Sequence, residues 1–447
     1  MYDLCIYNSR LMDPESGRDA PGAVCVRDGK IAAVTDTPQQ AAMMLDARGM
    51  VTSPGFIDIH VHEDEISDHL SLMLPRHISQ AAVKTGVTTI ITGNCGSSSL
   101  SPAEYYEAVK RMEYPCSCYM LAGNVTLRRH AGLKTYDKAD IEQIKQMCIL
   151  CQKMFDEGAI GLSFGLQYDP GTSRKEELAL YHLAAKNKKM VAVHMRYDYP
   201  EKAKETLEEV IALAELSGAR LQISHFAANI YGSGMIKMAD KLIRNSTADI
   251  ACDMYPYNAW ATTLQSAVFD NGFDNFNFKV TDLEILTGIY AGKYCTEELF
   301  EELRKEPDDI MVACHNAMPF PDVEAVYRLP YSMLGSDGNM QETADGHIKG
   351  HPRGSGSPAR LLGLFVRERK VMSLMEGIRK LTILPAGRLN LKTKGKLSPG
   401  NDADLTVFNP DTIADRAQFG VDVCGLAPVG ILYTIVNGKI VYQGDKT

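Results

Sequence analysis

The chain has 447 residues, of which 45% are hydrophobic and 23% charged, with a formal net charge of −9. These values fit a globular protein with one large domain and a small one, or with two to three domains. The negative charge argues against a nucleic-acid partner, and no run approaches the roughly 18 consecutive apolar residues of a membrane span. The 11 cysteines show no pairing pattern and the N-terminus shows no export signal, so we expect reduced thiols in a cytoplasmic protein.

The two ends of the chain predict short strands joined by tight turns. Asp28-Gly29 separates two apolar runs near the start, and Asn437-Gly438 does so near the end. Both dipeptides favour two-residue hairpins. We therefore predict that residues 1–53 and 395–447 together form one small β-sandwich domain.

The middle of the chain, 54–394, alternates apolar strands with amphipathic helices. Eight such units fit a (β/α)8 TIM barrel in the α/β class. A doubly wound sheet is the alternative, but it would not place polar residues at the ends of so many strands. The predicted strands are 56–62, 87–95, 118–123, 158–164, 189–194, 220–225, 249–255 and 333–337.

A long stretch at about 258–332 is predicted to be an insertion between the last two strands, and it contains a ninth strand-like run at 310–314. Loops after barrel strands build the active site, so we expect the insertion to shape a pocket. Two interpretations of its phenylalanines stay open, a lid or a small core of the insertion's own. These residues are Phe269, Phe273, Phe276 and Phe278.

Side chains of metal-ligand type follow five of the predicted strands. His60 and His62 end the first strand on one face, because a strand alternates with period two. In barrel enzymes the chemistry collects at the C-terminal ends of the strands. Because the strand ends of a barrel form one ring, these side chains together predict a metal site, with zinc as the usual ion. The predicted ligands are His60, His62, Cys95, His194, His225 and Asp337.

The sequence gives less reason to place the other histidines in the metal site. His315 and His347 end none of the eight strands, although each could line the mouth of the site. The remaining four in helices or loops are expected at the surface, namely His69, His77, His130 and His182.

The motifs resemble the amidohydrolase superfamily and, within it, the N-acyl-D-amino-acid deacylases (D-aminoacylases). The resemblance covers nearly the whole chain. The segment 54–62 is shared across the superfamily, whereas Gly93-Asn94-Cys95-Gly96 and Gly161-Leu162-Ser163-Phe164-Gly165-Leu166 are more specific to the deacylase branch. His351-Pro352-Arg353 is a further match.

The resemblance implies a zinc-dependent hydrolase that deacylates an N-acyl-D-amino acid or a related small N-acyl compound. It implies one zinc held tightly by Cys95, His194 and His225. The other three ligands would serve a second metal, weaker or absent, and Asp337 would act as the general base. The expected partner is the small N-acyl substrate, with no nucleic acid and no membrane, and a homo-oligomer stays open. The residues expected to bind substrate are Arg353, Arg196, Tyr168 and Tyr257.

Two departures from family patterns bear on the substrate. Many superfamily members carry a carboxylated lysine on the fourth strand, but 158–168 contains no lysine, and Cys95 is the natural substitute. Deacylases usually place a lysine two residues after the sixth-strand histidine, where this chain has Ala227. Arg353 and Arg196 are the remaining candidates for a carboxylate, and an amide without an α-carboxylate stays open as substrate.

Three alternative functions are weighed against the deacylase interpretation. A cyclic amide hydrolase is disfavoured by the missing fourth-strand lysine, and a deaminase by the deacylase-specific motifs. A catalytically silent barrel is disfavoured because such proteins usually lose metal ligands.

Overall fold

Eight parallel strands close into a ring at the centre of the protein, which confirms the predicted TIM barrel. The computed structural model describes residues 1–65, 72–197, 199–273, 278–307, 309–342 and 346–445. The strands pair in chain order, and a parallel bridge between Val61 and Gly338 joins the last to the first. The barrel strands are Phe56–Asp58, Val87–Thr92, Ser117–Met120 continued by Ala122–Gly123, Gly161–Gly165, Met190–His194, Arg220–Ile223, Ile250–Met254 and Ser332–Leu334.

Helices follow most barrel strands and pack against them. The start of the helix Ile141–Asp156 is fixed by a capping box. The Asp140 side chain accepts a hydrogen bond from the Gln143 backbone N–H, and the Gln143 side chain accepts one from the Asp140 backbone N–H. None of the described helices is long and apolar enough to cross a membrane. The α-helices are Arg76–Lys84, Pro102–Arg111, Asn124–His130, Ile141–Asp156, Arg174–Lys186, Ala203–Ser217, Phe226–Asn229, Met235–Asn245, Glu297–Leu303, Phe320–Arg328, Arg353–Arg360, Leu374–Leu381 and Ile383–Arg388. A π-helix spans Leu361–Glu368, and short 3-10 turns lie at Pro200–Lys202, Ala267–Phe269, Val280–Asp282 and Val423–Gly425.

The two ends of the chain meet in one eight-stranded sheet outside the barrel. Val51–Pro54 pairs with Leu405–Phe408, which joins the early strands to the late ones. Both predicted hairpins are present, and φ is positive at all four turn residues, at Asp28, Gly29, Asn437 and Gly438. We keep 1–53 with 395–447 as the proposed extent of this domain. Its strands are Tyr2–Asp13, Arg18–Arg27, Lys30–Thr35, Ala41–Asp46, Val51–Pro54, Leu405–Phe408, Ile431–Val436 and Lys439–Gln443.

The stretch between the last two barrel strands forms a separate antiparallel sheet of Trp260–Thr263, Met311–Cys314 and Leu283–Ile285. The helix Phe320–Arg328 that follows contacts the seventh and eighth barrel strands. It therefore belongs to the barrel, and we propose that the insertion ends before residue 320 instead of at 332. Two short hairpins complete the strands, Asp64–Glu65 with Met73–Leu74 and Met340–Glu342 with Ile348–Gly350.

The phenylalanines of the insertion pack on one another. Phe269 stacks on Phe273 with ring centroids 5.6 Å apart, and Phe273 meets Phe278 at 5.9 Å. Phe269 and Phe278 are buried. These contacts favour the interpretation of a local core over that of a lid. Phe276 lies outside the described residues, as does His69.

Candidate metal centre

The candidate ligands lie at the C-terminal rim of the barrel, mostly just beyond the ends of regular strands. The predicted strand 56–62 stops at Asp58, and those at 87–95, 220–225 and 333–337 stop at Thr92, Ile223 and Leu334. The backbone turns into the left-handed region at Cys95 (φ 52°), His225 (φ 33°) and Asp337 (φ 52°). Such a conformation is uncommon for residues other than glycine, ends a strand, and concentrates at functional sites.

Cys95 is the centre of the cluster. Its Sγ lies 3.7 Å from His194 Nδ1, 3.8 Å from His225 Nε2 and 3.4 Å from His60 Nε2. Tetrahedral zinc, with bonds of about 2.3 Å to sulfur and about 2.05 Å to nitrogen, separates those two ligand atoms by about 3.6 Å. The spacing of Cys95, His194 and His225 therefore suits one tetrahedral ion.

A second group adjoins the first. Asp337 Oδ1 lies 2.8 Å from His62 Nε2 and 3.3 Å from His60 Nε2. His60, His62, Cys95 and Asp337 each offer a ligand atom within 4.8 Å of the others. The structure thus brings all six predicted ligands together, and Cys95 belongs to both groups.

The outer ring nitrogens of three histidines face oxygen atoms. His194 Nε2 lies 2.7 Å from Gln167 Oε1, His225 Nδ1 lies 3.0 Å from Asn229 Oδ1, and His60 Nδ1 lies 3.2 Å from Asp253 Oδ1. Because these oxygens accept, each outer nitrogen carries a proton, which leaves the inner nitrogen as the ring atom that can bind a cation. Histidines that bind metals are oriented in this way.

Two side chains that favour the anionic form, Cys95 and Asp337, face the inner ring nitrogens. Burial works to raise the pKa of the Cys95 thiol, but His60 and the bonds with His194 and His225 hold that pKa well below its usual value. Burial acts likewise on Asp337, yet Arg353 and His60 hold the pKa of its carboxyl well below the ordinary range. A thiolate, a carboxylate and inward-facing ring nitrogens are the donor set of a metal cation, so the residues present fit a metal ion.

Gln167→Leu tests the orientation of His194, because leucine keeps the shape of the side chain and removes the acceptor. We expect metal affinity to fall by about 10- to 100-fold, as measured by competition with a chromogenic chelator. Gln152→Leu is the matched control, since that amide bonds to Asp156 and Asn187 on outer helices. Equal affinities in the two variants would show that Gln167 does not orient a ligand.

A cleft of about 300 Å³ opens over the cluster, with a side pocket of about 30 Å³ beside it. The two spaces share Tyr168, Ala261, Thr262 and Asp337 in their walls. Trp260 and Val268 of the insertion line the side pocket. The insertion therefore shapes the cleft, as the barrel loops led us to expect.

Arg353 and Tyr168 lie at the cleft. Arg353 Nη1 is 2.8 Å from Asp337 Oδ2, its guanidinium covers the ring of Tyr255 at 4.6 Å, and its Nε is buried without a hydrogen-bond partner in the described part of the chain. The Tyr168 hydroxyl is 3.2 Å from Thr262 Oγ1, and its ring centroid is 4.5 Å from that of His194. Burial raises the pKa of Tyr168, so its hydroxyl stays protonated.

The structure does not bring Arg196 to the walls of the cleft. Its Nη2 lies 2.7 Å from Glu177 Oε1 and 3.2 Å from Glu209 Oε1, and it also donates to the Thr172 carbonyl. Glu177 is fully buried and needs a cation. The guanidinium is committed to these acids, which speaks against the predicted role in binding substrate.

The Tyr257 side chain points away from the cleft, and Tyr255 lines the side pocket where Tyr257 was expected. The Tyr257 hydroxyl donates to Asp415 at 3.3 Å, and Arg360 covers its ring at 4.5 Å. Tyr255 lines the side pocket, with a buried hydroxyl that has no partner among the described residues. The barrel strand ends at Met254, so strand alternation gives no guide to the direction of either tyrosine.

Sequence reasoning missed the residues that orient the ligands. Asp253 had a usable signal, because it lies near the end of a barrel strand on the same rim as the ligands. Gln167 and Asn229 had none, since each lies in a loop or a short helix whose direction depends on tertiary packing. His315 and His347 pair with Glu284 and Asp422, so neither joins the cluster.

Several known proteins are similar to this chain. The model of the Amidohydrolase family matches residues 51–441. An N-acyl-D-glutamate deacylase of Alcaligenes xylosoxydans xylosoxydans is 27% identical over 98% of this chain and 93% of the relative. A D-aminoacylase of the same organism is 28% identical over 99% of this chain and 95% of the relative. The crystal structure of an N-acyl-D-glutamate deacylase from Bordetella bronchiseptica, complexed with zinc and a phosphonate mimic of the tetrahedral intermediate, matches with a TM-score of 0.86 at 26% identity, covering 99% of this chain and 96% of that chain.

Proposed function

The chain belongs to the amidohydrolase family, and on that basis we propose that it is a zinc-dependent hydrolase that deacylates N-acyl-D-amino acids. The observation that carries the proposal is the meeting of Cys95, His194 and His225 at zinc-like spacings. The relatives named N-acyl-D-glutamate deacylase and D-aminoacylase, similar over nearly their full length, support the choice of substrate class.

We propose that the two groups of ligands bind metal ions with different affinities. Cys95, His194 and His225 would hold one zinc tightly, since their other ring atoms are fixed by Gln167 and Asn229. His60, His62 and Asp337 would serve a second, weaker ion. Zinc bound at such a site supplies Lewis acidity, which polarises a carbonyl and turns water into a nucleophile near neutral pH.

The residues of the chain supply the proton transfers. Asp337 faces the cleft as a carboxylate and accepts a proton from the attacking water. It then returns that proton to the nitrogen of the leaving amine. The Tyr168 hydroxyl, still protonated at neutral pH, donates a hydrogen bond to the oxygen on which negative charge develops.

Arg353 is the proposed partner of the α-carboxylate. Its Nε is a buried donor without a partner among the described residues, and the neighbouring Tyr255 hydroxyl is another. Ala227 is fully buried and brings no charge. A guanidinium can bind a carboxylate through two parallel hydrogen bonds, so Arg353 substitutes for the missing lysine.

Turnover of the zinc-loaded protein on N-acetyl-D- and N-acetyl-L-amino acids, with their α-amides alongside, tests this function. We expect hydrolysis of the free D-acids and little hydrolysis of the L-acids. Activity confined to the α-amides would refute Arg353 as a carboxylate receptor and would show that Ala227 marks a different substrate class.

The two arginines give opposite expectations. Arg353→Met should lower kcat/KM for an N-acyl-D-amino acid by at least about 30-fold, because the α-carboxylate of the bound substrate loses its charged partner. Arg196→Met should instead leave Glu177 without its ion-pair partner, with Glu209 keeping only Arg174, and lower the free energy of unfolding by about 3–5 kcal/mol, with KM little changed. Urea unfolding and steady-state kinetics on both variants check this, and a large rise in KM in Arg196→Met alone would reverse the assignment.

A further inference from the structure

The walls of the cleft contain few positive charges. Among the described residues that line the cleft and its side pocket, Arg353 is the one arginine and there is no lysine. The imidazoles in these walls, those of His62, His194 and His225, belong to the candidate metal cluster. The site therefore offers a substrate a single side-chain cation that is not a candidate ligand.

Carboxyl groups and uncharged groups, with no lysine or arginine, make up the rest of the described cleft walls apart from the candidate ligands. Glu63 and Asp309 line the cleft, and Met73 and Met311 give it apolar surface. Glu63 is buried and accepts a hydrogen bond from the Gly93 backbone at 3.0 Å, which fixes its carboxyl beside the cluster. A second anionic group on a substrate would thus meet carboxyl groups or thioethers, none of which offers it a positive charge.

The residues outside the described ranges contain few basic side chains. By sequence, Lys446 is the one lysine or arginine among them. The segments 66–71, 274–277 and 343–345, with Asp198 and Asp308, therefore contain no lysine or arginine, and His69 is the one histidine among them.

Resting on the function proposed above, we infer that this protein takes monocarboxylate substrates, N-acyl-D-amino acids with a neutral or basic side chain, and rejects the dicarboxylate class. Arg353 can satisfy the α-carboxylate, and no second lysine or arginine among the described residues of the cleft walls remains for a side-chain carboxylate. Specificity of this kind arises from leaving a buried charge unpaired, as well as from contacts with the preferred substrate. The argument holds for either orientation of the side chain in the cleft, because it depends on the count of cations.

Paired substrates of equal size test the inference. We expect kcat/KM of the zinc-loaded protein to be at least about 30-fold higher for N-acetyl-D-glutamine than for N-acetyl-D-glutamate, with N-acetyl-D-methionine and N-acetyl-D-lysine among the good substrates. A glutamate value equal to or above the glutamine value would overturn the inference and leave the deacylase function intact. No turnover of any of the four would overturn the proposed function and the inference with it.

A charge reversal gives a second test that does not depend on the wild-type ratio alone. Asp309→Arg should raise the ratio of glutamate to glutamine turnover by at least about tenfold, and Asp309→Asn by less. Thr263→Lys, at another position of the cleft wall, should act in the same direction if the Asp309 variants fold poorly. An unchanged ratio in folded variants of both positions would show that the charge of the cleft does not select the substrate.

Discussion

Asp337→Asn is expected to lower kcat by about 10²- to 10⁴-fold while one equivalent of zinc stays bound. The amide keeps the size of the side chain but cannot take up the proton of the attacking water. The tight ligand set of Cys95, His194 and His225 is untouched by the change. Steady-state kinetics on an N-acyl-D-amino acid, with metal content from the same preparation, gives both values.

The control for this variant is Asp402→Asn. Asp402 pairs with Lys30 at 2.5 Å, in the part of the protein formed by the chain ends. We expect its kcat and metal content to match the wild type. If Asp337→Asn kept a kcat near that of the wild type, another group would be the general base.

Cys95→Ala is expected to lower zinc affinity by more than about 100-fold, which is the largest loss typical for a residue that only orients a ligand. It should also abolish activity at ordinary zinc concentrations. Cys95 Sγ lies within 4 Å of a ring nitrogen of each of His60, His194 and His225. Its removal takes a ligand from both groups. Metal analysis after dialysis against a weak chelator measures the effect.

Cys118→Ala is the matched control, since Cys118 is a buried thiol on the third barrel strand whose Sγ lies 4.0 Å from that of Cys116. It should lose no metal. Full zinc retention by Cys95→Ala would reject the ligand role of Cys95 and with it the tight site.

The fold was predictable because its signals are local. Apolar runs of strand length alternate with helical segments, and the turns at Asp28-Gly29 and Asn437-Gly438 need positive φ, which those residue pairs tolerate. The candidate ligands were predictable because the barrel brings every strand end to one rim. Cys95 and Asp337 lie two or more residues beyond their strands. Their positions therefore agree with the rule that ligands gather at strand ends, although the sequence alone does not give the path of the loops that carry them.

The walls of the site were predicted less well, because they depend on contacts between distant segments. Arg196 lies two residues after a candidate ligand, yet its guanidinium turns to Glu177 and Glu209 on two helices. Trp260 and Val268 reach the side pocket from the insertion, whose path cannot be read from local pattern. Tyr255 and Tyr257 differ in role through the backbone direction after a strand end.

The central claim is that a metal held by Cys95, His194 and His225 is required for hydrolysis of an N-acyl-D-amino acid. Titrating zinc into the metal-free protein while following hydrolysis of N-acetyl-D-methionine tests it most directly. The account predicts no turnover without metal and a rise that is complete near one equivalent of tightly bound zinc. Equal turnover by the metal-free and zinc-loaded protein would contradict it.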